Sequence, residues 1–335
     1  MTKKMSDRKS EHLALSKSSQ VAVGDTRFFY EPLLSAHPTD LKNLATKFGA
    51  WQLGAPLWIS SMTGGARGKN AKKINQNLAQ VAGKYNLAMG LGSCRPILES
   101  NEFLADFKMK KYLGKSPLFG NLGIHQVAEF LRDKKEQKIF EMLKKIEADG
   151  LIVHVNPLQE WIQPEGDRYF ESPLLTLEKL LNKITVPLIV KEVGQGFGPS
   201  SLAALLQMPL LAIDLAGFGG TNFSQLEILR QKKINGAQLP MVKVGQTCAE
   251  MIVHVHEFKA KNPQQILAKH LIFSGGMRDY LDGYFLLEQS ALPSLYGQAQ
   301  GLLEHAVISS ESLAEYVEGQ LQGLAMAKSF LRVRN

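Results

Sequence analysis

The seven residues His154-Val155-Asn156-Pro157-Leu158-Gln159-Glu160 place an imidazole, two carboxamides and a carboxylate close together. They follow Gly150-Leu151-Ile152-Val153, which reads as a short buried strand, and Pro157 fixes the turn that leaves it. Such a set can hold an anion or a cation and can move a proton, or it can simply cap the next helix. Other apolar runs end in a similar way. Ser60-Ser61-Met62-Thr63-Gly64-Gly65, Gly90-Leu91-Gly92-Ser93-Cys94-Arg95 and Asn121-Leu122-Gly123 form one group of such ends. Val190-Lys191-Glu192-Val193-Gly194-Gln195-Gly196, Asp214-Leu215-Ala216-Gly217-Phe218-Gly219-Gly220-Thr221 and Ser274-Gly275-Gly276-Met277-Arg278 form another. A single glycine cluster is most simply a turn. Six at successive strand ends point to a large phosphorylated ligand, because glycines let backbone N–H groups approach phosphate closely. There is no G-x-x-x-x-G-K-[ST], and Gly194-Gln195-Gly196-Phe197-Gly198-Pro199 does not complete G-x-G-x-x-G.

Lys191 lies in an otherwise apolar strand, where a lysine is costly unless paired or used. It can pair with Glu192 or Asp214, face the electron-rich part of a cofactor, or form a Schiff base. Arg8-Lys9-Ser10-Glu11-His12 adds a cationic group near the N-terminus, ordinarily a solvated tail but also suited to clamping a diphosphate.

The elements that must position these groups alternate along the chain. Apolar runs predict strands over Pro56–Ser60, Leu87–Leu91, Pro117–Asn121, Leu151–Asn156, Pro187–Glu192, Leu210–Leu215, His270–Ser274 and Leu292–Gly297. Amphipathic stretches predict helices over Lys69–Lys84, Val127–Ala148, Leu174–Lys183, Pro199–Leu206, Phe223–Lys233, Thr247–Lys261 and Tyr280–Gln289, with one or two closing helices over Glu304–Leu331. Eight strands each followed by a helix predict an α/β fold, a single (β/α)8 TIM barrel over residues 51–335. Residues 1–50 then form a polar N-terminal extension, and a doubly wound open sheet is the alternative architecture.

Composition narrows the function classes. The net charge of +8 favours anionic partners, but the lysines are scattered and no basic run carries interleaved aromatics, which argues against nucleic acid. No apolar h-region opens the chain and no run of eighteen apolar residues occurs, so neither a secretory signal nor a membrane span is expected. Two cysteines, Cys94 and Cys248, are too few for a disulfide framework or zinc cluster, and a cytoplasmic setting is expected.

Together these residues resemble the type 2 isopentenyl diphosphate isomerase family. The matching segments are RKSEHL at 8–13, SSMTGG at 60–65, GSCR at 92–95, HVNPLQE at 154–160, VKEVGQG at 190–196, GFGGT at 217–221 and SGGMRDYLD at 274–282. The resemblance implies interconversion of isopentenyl and dimethylallyl diphosphate with reduced FMN, NADPH as reductant, and Mg²⁺. It implies that FMN contacts Met62, Thr63, Ser93, Asn121, Lys191 and Thr221, with its phosphate near Gly275, Gly276, Met277, Arg278, Ala299 and Gln300. Arg8, Lys9, Ser93, Arg95, His154, Asn156 and Gln159 would hold the diphosphate substrate, with His154 and Gln159 as catalytic candidates beside the flavin N5. Glu160 would bind the metal, and a homotetramer or homo-octamer is the family's habit. Three departures stand out: Cys94 where glutamine is common, Ala216 where a serine often contacts flavin, and LPSLYGQAQG in place of the usual eighth-strand pattern.

Two other functions share the barrel and phosphate logic. An FMN-dependent 2-hydroxy acid oxidase or dehydrogenase would need a base histidine in a late loop, and neither SGGMRDYLD nor GFGGTNF has one. A catalytically inactive flavin-binding protein would have no use for Gln159 and Glu160.

Overall fold

The computed structural model describes residues 3–60, 70–231 and 236–334. The polar N-terminal region starts with helix α1 (Lys3–Leu15), all of whose described side chains are exposed. After it come β1 (Phe28–Tyr30) and a hairpin of β2 (Thr46–Phe48) and β3 (Trp51–Leu53). A division at residues 50/51 therefore passes through a hairpin, in which Phe48 pairs with Trp51.

The hairpin is apolar where it matters. Phe48 and Leu53 are buried with Trp58, Ala88, Phe119, Ile152, Ile189, Ala212, Ile272 and Leu295 in one cluster. The rings of Phe48, Trp58 and Phe119 lie 5.5–6.1 Å apart. These residues fill the inside of the barrel, so the hairpin plugs one end and leaves ligand access to the other.

The barrel strands are β4 (Leu57–Ile59), β5 (Ala88–Gly90), β6 (Leu118–Gly123), β7 (Gly150–His154), β8 (Leu188–Lys191), β9 (Ala212–Asp214), β10 (His270–Phe273) and β11 (Ser294–Gln298). They are all parallel and closed in the order β10-β11-β4-β5-β6-β7-β8-β9, as the near-continuous apolar runs predicted. Closure excludes the open doubly wound sheet.

The helices between them are α2 (Ala71–Tyr85), α3 (Arg95–Glu99), α4 (Leu104–Phe107), α5 (Lys110–Leu113), α6 (Ile124–Arg132), α7 (Gln137–Ile146), α8 (Pro157–Ile162) and α9 (Pro173–Leu181). There follow α10 (Pro199–Leu206), α11 (Phe223–Arg230), α12 (Cys248–Lys261), α13 (Tyr280–Glu288), α14 (Gln300–Ile308) and α15 (Ser310–Phe330), then β12 (Leu331–Val333) pairing with β1. The helix expected over Val127–Ala148 is two, α6 and α7. The polar run after Arg132 offers no apolar face, and Lys134 turns the backbone left-handed at φ 54°. Among the described residues no helix is long and apolar enough to cross a membrane.

Candidate active site

Strand parity builds the site. Side chains two residues apart share a face, so the inward layer of Trp58, Phe119, Ile152, Ile189, Ala212 and Ile272 is followed by Ser60, Asn121, His154, Lys191, Asp214 and Ser274. The barrel interior thus changes from apolar to polar in a single step on six of its strands, at their carboxyl ends, while the other two carry Gly90 and Gly297 at that level. His154 is in register with Lys191, and Lys191 with Asp214.

Hydrogen bonds fix this layer. Asn121 donates its Nδ2 to the Leu91 carbonyl at 3.0 Å, which turns its Oδ1 toward His154 Nδ1 at 2.8 Å. Because that oxygen only accepts, His154 carries its hydrogen on Nδ1 and presents Nε2 as a lone pair. Burial, and then the neighbouring Lys191 charge, push the imidazole down to about 4, so it is neutral near pH 7. Ser274 donates to Asp214 at 2.5 Å, and burial raises the Asp214 carboxyl against the opposing pull of Lys191 and Ser274. Lys191 is buried and donates to the Glu192 carbonyl at 2.7 Å, not to the Glu192 carboxylate as one reading of the sequence allowed. That carboxylate instead accepts the backbone N–H groups of Gly194, Gln195 and Gly196 at 2.6–3.1 Å and shapes its own loop. Burial nevertheless raises the Glu192 carboxyl.

Two subsites flank the layer. One is a cleft of about 370 Å³ lined by Ser60, Lys191, Thr221, Ser274, the 275–278 turn, Ala299 and Gln300, among others. Its edges need glycine. Gly275 sits at φ 88°, and a Cβ there would fall 2.0 Å from the Gly217 carbonyl, so the loops after β9 and β10 can nest only as they are. Ala216, also in the cleft wall, holds a left-handed φ of 40° that an alanine adopts only under constraint. The N-terminus of α14 opens beside the cleft with Ala299 as a cap that provides no side-chain hydrogen bond, leaving its amides for a ligand. Among the described residues Ser60 Oγ, buried there, has no hydrogen-bond partner.

The other subsite is the turn after β7. Asn156 is buried, and its Nδ2 donates to Gln159 Oε1 at 3.1 Å and Glu160 Oε1 at 3.0 Å, while its Oδ1 accepts from Tyr169. Glu160 Oε2 accepts the Asp167 N–H at 2.8 Å. Gln159 Nε2 donates to the buried carboxylate of Glu227 at 3.2 Å, and Glu227 is paired with Arg230. Arg95, exposed at the start of α3, reaches Asp167 at 3.2 Å, and Ser93 is half-buried beside it. Among the described residues no group of three or more His, Cys, Asp or Glu gathers as metal ligands.

The structure therefore unites Lys191, Thr221, Gly275, Gly276, Met277, Arg278, Ala299 and Gln300 around one cleft, and Asn156, Gln159 and Glu160 in one network. Arg8 and Lys9 stand on exposed α1, and among the described residues no hydrogen bond or ion pair ties them to the mouth. Met62 and Thr63 lie outside the described residues. Cys94 is fully buried, accepts the Asn121 N–H and is pushed up to about 12 by burial, so it lies below the site as an inert thiol. Sequence reading missed Asp167, Tyr169 and Glu227. Only Glu227 left a signal, as a charge on the buried face of an amphipathic helix.

Fold and site together define a (β/α)8 barrel protein with a glycine-edged ligand cleft and an adjoining carboxamide–carboxylate network at the strands' carboxyl ends. No family model matches the chain. Solved structures similar in fold include a flavocytochrome b2 variant with benzoylformate (TM-score 0.62, 12% identity, 91% of this chain and 76% of that one). A mandelate oxidase variant with (S)-mandelic acid is another (TM-score 0.56, 12% identity, 92% and 87%). Sequence relatives are closer. The isopentenyl-diphosphate delta-isomerase of Cronobacter sakazakii is 33% identical over 97% of this chain and 92% of its own length. Those of a Nostoc and a Synechococcus species are each 36% identical, over 93% and 96% of this chain and 87% and 90% of theirs. The chain belongs to the isopentenyl-diphosphate delta-isomerase family.

Proposed function

We propose that this protein interconverts isopentenyl and dimethylallyl diphosphate with FMN in the 370 Å³ cleft, NADPH as its reductant and Mg²⁺ at Glu160. The observation that carries the reading is the adjacency of two unlike subsites on one polar layer: a glycine-edged cleft fit for a large phosphorylated cofactor, and the His154–Glu160 turn fit for a small charged substrate.

The residues present fit these groups. The cleft size is in the range of cofactor sites, its glycine edges leave backbone N–H groups accessible, and the uncapped α14 terminus favours a phosphate. Lys191 supplies a cation at the cleft wall, which suits the anionic form of a reduced flavin. Reduced FMN, when bound, would supply the acid–base group at N5 that moves a proton at an unactivated alkene carbon.

The remaining work falls to side chains of this chain. Glu160 accepts from the Asn156 amide and the Asp167 N–H, and among the described residues no side-chain cation pairs with it to compete with a divalent cation. Arg95 offers a guanidinium to diphosphate, in place of its contact with Asp167. Gln159 is held between an acceptor, Glu227, and a donor, Asn156, so its amide points one way and can orient a substrate proton. His154, neutral with Nε2 as acceptor, receives a hydrogen from its ligand instead of donating one.

A 2-hydroxy acid oxidase has no observation in its favour beyond the fold, since no histidine lies among the loop residues 215–223 or 274–282. The test is anaerobic turnover of isopentenyl diphosphate by the flavin-loaded, reduced protein with Mg²⁺. Flavin binding without turnover overturns the assignment. Glu160→Gln should retain flavin while raising the Mg²⁺ requirement; concurrent loss of flavin would count against the metal role.

A further inference from the structure

Arg278 borders the cleft, and its side chain is 80% exposed yet not loose. Its N–H and Nε both bond Asp282 Oδ2 at 3.0 Å, and its Nη2 bonds Oδ1 at 3.2 Å. Asp282, in the first turn of α13, thus holds both the backbone and the guanidinium of the residue that closes the 275–278 turn. Its carboxylate is 8% exposed, and it is itself held from the other side by Arg27 Nη1 at 2.7 Å. Burial alone would raise the Asp282 carboxyl; hydrogen bonds from Arg278 and Arg27 bring it below its ordinary value instead.

Arg27 is built in as firmly. Its Nε and Nη2 grip Asp25 at 2.9 and 2.6 Å, and its guanidinium lies 5.3 and 5.4 Å from the ring centres of Phe28 and Phe285. Phe28 opens β1, which β12 clamps in place. A planar fork can bridge two carboxylates at fixed angles, and a lysine cannot.

We infer that Arg27, from the segment ahead of the barrel, is a positioning residue for the cofactor phosphate, acting through Asp282 to fix Arg278 and the 275–278 turn. This rests on the flavin reading of the cleft. With Arg27 in place, the Asp282 charge is shared: Oδ1 bonds both Arg27 and Arg278, and Oδ2 bonds Arg278. Without it, the whole Asp282 charge falls on Arg278, whose guanidinium is then less available to a phosphate, and Asp25 adds an unneutralised negative charge nearby. Both changes weaken phosphate capture and leave the ring end of the cleft unaltered.

The test compares dissociation constants of FMN and riboflavin, by flavin fluorescence, for deflavinated full-length wild type, Arg27→Met and Arg27→Lys. The expected result is an FMN constant raised roughly tenfold in both variants, about the worth of one charge-assisted hydrogen bond, with riboflavin binding unchanged. Unchanged riboflavin binding also shows that the variants fold. Equal losses for both ligands would make Arg27 merely structural and overturn the inference. Recovery of FMN affinity by Arg27→Lys would overturn it too, as would unaltered FMN affinity in both variants. A wild type that binds neither flavin would instead refute the flavin reading itself.

Discussion

His154 is the site residue whose protonation the structure decides. A free-protein value of about 4 means that charging the imidazole at pH 7 costs three pH units, about 4 kcal/mol. A hydrogen bond to a charged group returns about 1.5–3 kcal/mol. The deficit predicts that His154 stays neutral when isopentenyl diphosphate binds, accepting at Nε2 a hydrogen carried by the ligand or its hydration shell. The perturbation is His154→Asn, and the assay is calorimetric titration of the oxidised, flavin-loaded protein with isopentenyl diphosphate and Mg²⁺. Two pH 7 buffers of different ionisation enthalpy give the number of protons exchanged on binding. Wild type and variant should exchange the same number, while the variant binds more weakly. If wild type takes up about one proton more than the variant, His154 becomes a cation in the complex and the energetic argument fails.

Three more outcomes follow from the geometry. Gly275→Ala should lower stability by roughly 2 kcal/mol or more in urea denaturation and abolish flavin binding, since the new Cβ would meet the Gly217 carbonyl at 2.0 Å; wild-type behaviour would mean the two loops do not nest as described. Glu227→Gln should lower kcat roughly tenfold with FMN affinity intact, because Arg230 claims the one remaining acceptor oxygen and turns the new amide's NH2 toward the Gln159 Nε2 donor; an unchanged kcat would detach Glu227 from the reaction. His270 accepts the Gly49 N–H at the plugged end, and its value is lowered to about 4, by burial first and then by Lys269 and Lys47. Its contribution is therefore full above its unfolded value of 6.5 and lost as pH falls toward 4, so the Tm gap between wild type and His270→Gln should narrow over that interval; a gap that widens would contradict it.

The barrel could be read from sequence because strands covered on both faces must be apolar throughout, and each stops where a polar residue such as His154 or Lys191 replaces the inward hydrophobe. The hairpin plug could not. Phe48, Trp51 and Leu53 are isolated apolar residues in a polar stretch, and only closure of the barrel gives them a cavity to fill. The turn at His154–Glu160 announced its chemistry through residue type, but its partner Glu227 lies 68 positions from Gln159; at the 275–278 turn, likewise, Arg27 lies 255 positions from Asp282. Such contacts depend on how loops and termini meet at the mouth, which no local pattern encodes. The break at Lys134 was missed for a different reason, since the apolar residues of α6 and α7 continue one another's spacing across it.

The proposed reaction moves a double bond at this barrel mouth without net oxidation. The most direct measurement is proton NMR of isopentenyl diphosphate incubated anaerobically in D₂O with the FMN-loaded, chemically reduced protein and Mg²⁺. The expected product is dimethylallyl diphosphate carrying solvent deuterium, with no net consumption of reductant and no reaction in the oxidised protein. Absence of product from fully reduced, flavin-loaded protein, or product formed only as reductant is consumed, would contradict it.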